Sequence, residues 1–245
     1  MTESTIRHRH PHFSSNGPLP LRLRMSQTLD VSQFLGIQFV WNGATIKLTQ
    51  KGLIDKIIAT AGMENCNSAK ELAKERPLGR DLHGVAFNED WNYASVISML
   101  LYVASNSRPD IAFAVHQCAR FTHNLKQLHA VTVKRIIRYL SRTKGKGLVM
   151  QPDQEMKLDC YIDADFAGLW GVKDLNDSIC VRSHTGYIIT LAGCPLLWVS
   201  KLQMLTSTST MQAEYVALST AMRDLIPLCR VLKLVSISLL GSKTI

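Results

Sequence analysis

Apolar residues recur along this chain with two different periods, and the change from one to the other divides it. Residues 31–50, VSQFLGIQFVWNGATIKLTQ, alternate in the manner of strands around Asn42-Gly43. Asn and Gly both tolerate positive φ, so this dipeptide between two β-prone runs predicts a hairpin. Leu53, Ile54, Ile57 and Ile58 then fall on one face of a helix predicted over 50–61. Residues 65–90 are polar and irregular, with Pro77, Gly79 and Gly84, and read as a linker or long loop.

Three amphipathic helices are predicted next. Val96, Met99, Leu100 and Val103 share the i, i+3, i+4, i+7 spacing. So do Ile111, Ala114, Val115 and Cys118, and so do Val133, Ile136, Ile137 and Leu140. Ser107-Arg108-Pro109-Asp110 reads as a helix start: a capping serine, a proline where no N–H is needed, and an acid. Short connections between such helices predict a small bundle.

Beyond residue 150 the period shortens. KLDCYID, TGYIITL and CPLLWVS each look like strands, with a long loop at 169–183 between the first two. Residues 210–223 turn helical, with Met211, Tyr215, Leu218 and Met222 on one face. Pro227 is expected to end that helix. A helical bundle followed by strands and a helix means α+β or α/β. Residues 1–24, with alternate His8, His10 and His12 and three prolines, look like a disordered tail. The predicted segments are then 1–24, 25–64, 65–90, 91–150 and 151–245.

Composition sharpens this picture in three ways. The chain is 46% hydrophobic and 19% charged, which excludes wholesale disorder. No apolar run approaches the ~20 residues of a membrane span, and no secretory signal opens the sequence. Six scattered cysteines without a CxxC pair favour reduced thiols in a cytoplasmic or nuclear setting.

Charge is uneven. Residues 1–150 hold 20 basic and 10 acidic side chains; residues 151–245 hold 8 and 9. From 111 to 152 there is no Asp or Glu, while Arg120, Lys126, Lys134, Arg135, Arg138, Arg142, Lys144 and Lys146 all carry positive charge. Several lie off the apolar stripe of the third helix. This basic ridge suits phosphates, which it would hold without reading sequence.

The carboxylates of the last third are the candidates for chemistry. Asp159, Asp163 and Asp165 fall on one side of a strand, and Glu214 lies early on the following helix. Hard oxygen ligands in such a cluster suit Mg²⁺, and two such ions can activate water against a phosphodiester.

The motifs themselves narrow the reading. YIDADFAG at 161–168, SHTGY at 183–187, WVSKLQ at 198–203 and STMQAEYVALS at 209–219 resemble, in order, the ribonuclease H domain of copia-type long-terminal-repeat retrotransposons. Upstream, FLGI at 34–37, LTQKGLIDKII at 48–58, LLYVASNSRPDIAFAV at 100–115 and HAVTVKRIIRYLSRTKGKGL at 129–148 resemble the family's reverse-transcriptase tail and connecting helices. The resemblance covers about 200 of the 245 residues.

It implies a Pol polyprotein fragment with a truncated ribonuclease H-like mixed sheet with helices. The implied activity is Mg²⁺-dependent hydrolysis of RNA in RNA–DNA hybrids. Asp163 matches the first catalytic, metal-binding acid and Glu214 the second; the basic helices would hold the hybrid. The remaining Pol parts are expected partners in an intact element, and no membrane is. Departures accompany the matches. The paired-aspartate polymerase motif is missing, Ala94 and Ser98 replace an Arg and a Gly usual in the family, and Leu125 stands where Pro is common. The family's two later acids have no match. The only acid after Glu214 is Asp224, which ten helical residues turn to another face. Weak or absent hydrolysis is therefore expected; the alternative is a non-catalytic nucleic-acid-binding remnant.

Overall fold

The computed structural model describes residues 32–72, 78–153, 155–168 and 179–241. The predicted tail and most of the 169–183 loop lie outside them. The chain runs through β1 (Gln33–Phe34), β2 (Ile37–Asn42), β3 (Thr45–Thr49) and α1 (Lys51–Thr60) into α2 (Tyr93–Asn106). A 3-10 turn (Pro109–Ile111), α3 (Ala112–Ala119), α4 (Gln127–Arg142) and β4 (Leu148–Met150) complete the first half. The second half is β5 (Leu158–Asp165), β6 (His184–Leu191), β7 (Cys194–Leu202) and α5 (Thr210–Gly241). The class is α+β.

The predicted hairpin forms, with a shifted turn. Asn42 pairs with Thr45, so the two-residue loop is Gly43-Ala44, and only Gly43 has positive φ (60°). Asn42 stays in the strand. β4 returns from the end of α4 to pair with β3, closing a sheet of order β1-β2-β3-β4. Gly147 permits this, because a Cβ there would collide with the Leu48 carbonyl oxygen.

The helices bury the faces their spacing predicts. Ile54 and Ile57 of α1, Val96, Leu100 and Val103 of α2, Val115 and Cys118 of α3, and Val133, Ile136, Ile137 and Leu140 of α4 are fully buried in one core. Each such aliphatic side chain contributes roughly 1.5–3 kcal/mol. α1 thus belongs to the same core as the three helices after it. Tyr93 donates a hydrogen bond to the Cys118 carbonyl (2.9 Å) and tethers α2 to α3. Burial raises both the Tyr93 hydroxyl and the Cys118 thiol, the latter to about 12.

Two predicted helix boundaries are corrected. Ser107 closes α2 instead of capping α3, and its hydroxyl donates to Gln50 (2.7 Å). Pro109 opens the short 3-10 turn. Pro227 lies inside α5, which continues to Gly241, because Leu225 and Leu228 on either side of it pack on the sheet.

The second sheet, order β5-β6-β7, is wholly antiparallel, not mixed. Its one face takes α5 through Ala164, Ala213 and Ala217, and through Tyr187, Ile189 and Ala221. The other face meets the bundle. There Trp198 donates to the Ala104 carbonyl (2.8 Å), and Phe113 meets the His184 ring edge-on at 5.2 Å.

A candidate nucleic-acid interface and an acidic strand

Strand alternation sorts the acids of β5 as predicted. Ile162 and Ala164 pack toward α5, so Asp163 and Asp165 occupy the opposite, bundle-facing side, where both are exposed. Register puts Asp163 opposite Gly186 and Asp165 opposite His184. Asp159 is paired with Lys157 (2.9 Å). Asp165 folds back onto the turn that follows β5. Its carboxylate fills the space that a Cβ on Gly168 would need. Ala167 in that turn has φ 48°.

Glu214 sits in the second turn of α5 and is exposed. Its neighbour Ala213 packs with Ala164, the neighbour of Asp163. The two carboxylates thus come from adjacent elements, but from opposite faces of β5. Asp224 lies elsewhere on α5 and accepts a hydrogen bond from Tyr187. Among the described residues, no three His, Cys, Asp or Glu side chains are placed to hold a metal ion. One Mg²⁺ can be held by one or two carboxylates with substrate phosphates. A two-ion site needs more donors than these residues bring together.

The basic ridge is present, but much of it is answered by acids from elsewhere. Lys134 Nζ holds both Glu89 oxygens (2.8 and 2.7 Å). Arg135 pairs with Glu71 (3.7 Å) and Lys144 with Asp55. Arg120 donates to Gln117 (2.8 Å) and lies over the Phe121 ring. Lys126 precedes α4, where its backbone N–H donates to the His129 ring (2.9 Å). Arg138, Arg142 and Lys146 are exposed, and no described carboxylate pairs with them.

Residues 65–90 are more than a linker. Gln127 donates its N–H to the Val85 carbonyl (3.0 Å), Ala86 bridges Lys126, and Ala69 donates to the Arg138 carbonyl (3.2 Å). The His129 ring accepts from Lys126 through Nδ1, so Nε2 carries the proton toward the Gly79 carbonyl (3.1 Å). Sequence reading misses Glu71 and Glu89 as parts of this face. Their partners lie dozens of residues away, where no local spacing signals them.

All six cysteines are free thiols. Among the described residues, no helix is long and apolar enough to cross a membrane.

The chain is similar to the Pol polyprotein of transposon TNT 1-94 from Nicotiana tabacum, with 32% identity over 225 residues, 89% of this chain and 16% of that protein. It is 28% identical to the Pol polyprotein of transposon RE1 from Arabidopsis thaliana over 87% of this chain and 14% of that one. The secreted RxLR effector protein 161 of Plasmopara viticola is 34% identical over 132 residues, 54% of this chain and 87% of that protein. The chain therefore spans about a sixth of the length of its Pol relatives. No family model and no solved structure matches it. Its similarity to the transposon polyproteins runs through both halves, from the hairpin sheet to the acidic strand, and the chain belongs to the copia-type retrotransposon Pol polyproteins as a fragment of one.

Proposed function

We propose that this chain joins the end of a reverse transcriptase to the front of a ribonuclease H domain, and that it binds RNA–DNA hybrid through the phosphate backbone. One observation carries the binding: Arg138, Arg142 and Lys146 stand exposed at four-residue intervals along and beyond α4, with no described carboxylate to neutralise them. Such a row tracks phosphates without reading bases.

Asp163 and Glu214 are the acids that would carry hydrolysis of the RNA strand, with Mg²⁺ supplying Lewis acidity when bound. One carboxylate on β5, on its face away from α5, and one on α5 support at most weak hydrolysis. That favours the second reading, a module that binds nucleic acid without cutting it.

A labelled RNA strand in an RNA–DNA hybrid, incubated with Mg²⁺ or Mn²⁺, tests both. Hybrid binding that falls steeply with salt, with little or no cleavage, is the expected result. Cleavage that vanishes in Asp163→Asn would establish a working nuclease. Absence of salt-dependent binding would remove the nucleic-acid reading altogether.

A further inference from the structure

Glu89 occupies a complete anion cradle. Its two oxygens accept from Lys134 Nζ (2.8 and 2.7 Å), Gln127 Nε2 (2.7 Å) and Trp91 Nε1 (3.3 Å). The hydrogen bond from Lys134 holds its carboxyl below the ordinary glutamate value. Two of these three donors belong to α4, the helix that carries the exposed cations. Converging N–H donors with one positive charge are what a phosphate oxygen also requires. Here the chain fills that place itself.

The surrounding segment is laid along the same helix. Residues 78–91 touch α4 at Val85, Ala86 and Gly79, while Trp91 and Leu78 are buried in the bundle core. From the other side Glu71 reaches Arg135 with its own side chain 82% exposed. The anchors are apolar and backbone contacts; the carboxylates are additions on top of them. We propose that Glu89, assisted by Glu71, is an autoinhibitory cover that competes with nucleic-acid phosphates for the cationic face of α4. This rests on the nucleic-acid reading above. The Glu71–Arg135 pair, at this exposure, contributes about 0–1 kcal/mol. The Glu89–Lys134 pair, with side chains 18% and 26% exposed, is held more firmly, and the counterions released when a polyanion binds are what offset its loss. Only the carboxylates have to give way; Trp91 and Leu78 keep the segment in place.

Affinity of the full chain for a labelled RNA–DNA hybrid, measured across a salt series, tests the cover. Glu89→Gln keeps a side-chain acceptor for Gln127 and frees the charge of Lys134. It should bind about five-fold more tightly, with the slope of log K against log salt steeper by about one. Glu71→Gln, at an exposed site that cannot threaten folding, should shift both in the same direction by less. Lys134→Met breaks the same ion pair without releasing a cation and should gain nothing. Unchanged affinity and slope in both glutamate variants would overturn the cover. So would a gain in Lys134→Met equal to that of Glu89→Gln, since loosening alone would then explain it. Wild-type binding with no glutamate effect sinks only this inference. Binding confined to Glu89→Gln supports it and overturns the reading for the intact chain. No binding by any variant overturns both.

Discussion

Among single residues, Arg108 shows how much of the fold rests on distant pairing. It is only 2% exposed, yet its guanidinium forks onto Asp110 (2.9 and 2.7 Å) and reaches the carbonyl (3.1 Å) and hydroxyl (2.8 Å) of Thr143. Tyr139 lies under the guanidinium and donates to Asp110 (2.8 Å). Burial opposes the arginine's charge, but Asp110 outweighs it and holds Arg108 protonated. Asp110→Ala leaves that buried charge without its carboxylate, held only by neutral Thr143 and the Tyr139 ring, and should cost about 3–5 kcal/mol in a urea titration. Lys144→Ala breaks a pair whose side chains are 39% and 55% exposed and should cost about 0–1 kcal/mol. Equal losses in the two variants would refute this ranking. The residues 107–110 were legible as a helix boundary. Their pairing was not, because Thr143 and Gln50 lie 35 and 57 positions away.

At the level of elements, periodicity located every helix of the bundle and all three strands of the second sheet, but it did not choose the buried face of α5. Met211, Tyr215, Leu218 and Met222 form the stripe that stands out in the sequence, and all four are exposed. The buried stripe is Ala213, Ala217 and Ala221, each at 0%. Small side chains let the helix lie close on β5 and β6, and alanines stand out less in an apolar pattern than the larger residues beside them. Pro227 inside this helix lacks the N–H for one backbone bond and crowds the carbonyl four residues earlier, a loss worth up to ~3 kcal/mol in a helix interior. Leu225 and Leu228 hold the helix to the sheet across it. Pro227→Ala should therefore raise the urea midpoint, with a gain of about 1–3 kcal/mol. A lower midpoint would mean that the proline shapes a bend the packing needs.

For the molecule as a whole, the seam between bundle and second sheet decides how the two halves act together. Besides the Trp198 and Phe113 contacts, it holds two histidines. Burial lowers His116, with Lys201 adding to the effect; burial also lowers His184, with His116 and Arg120 adding and Asp165 opposing. A histidine lowered in the folded state is protonated more readily in the unfolded chain. Stability therefore rises with pH through the window between the folded values and the unfolded value of about 6.5, and is lost as pH falls through it. Denaturation midpoints should drop between pH 7.5 and 5.5, and His116→Gln with His184→Gln should flatten that dependence. A wild-type midpoint that is level over this range would contradict the assignment. The depressed carboxylates Glu89 and Asp110 act in a separate window. Their contribution is present above about pH 4 and disappears as pH falls through their folded values.

Sequence alone was enough for the hairpin, the four bundle helices and their buried faces, the three strands of the second sheet, the placing of Asp163 and Asp165 on one side of a strand, and the resemblance to the Pol family. These are local properties: period, turn chemistry and contiguous motifs are read within a few residues. Tertiary structure alone decided that Glu89 and Glu71 answer the cations of α4, that Asp163 and Glu214 approach β5 from opposite faces, and that Asp165 is folded against Gly168. It also decided that α5 passes through its proline and turns its large apolar residues outward. Each of these depends on which distant segment arrives as a neighbour. Charge and burial belong to that neighbourhood, and no spacing along the chain encodes it.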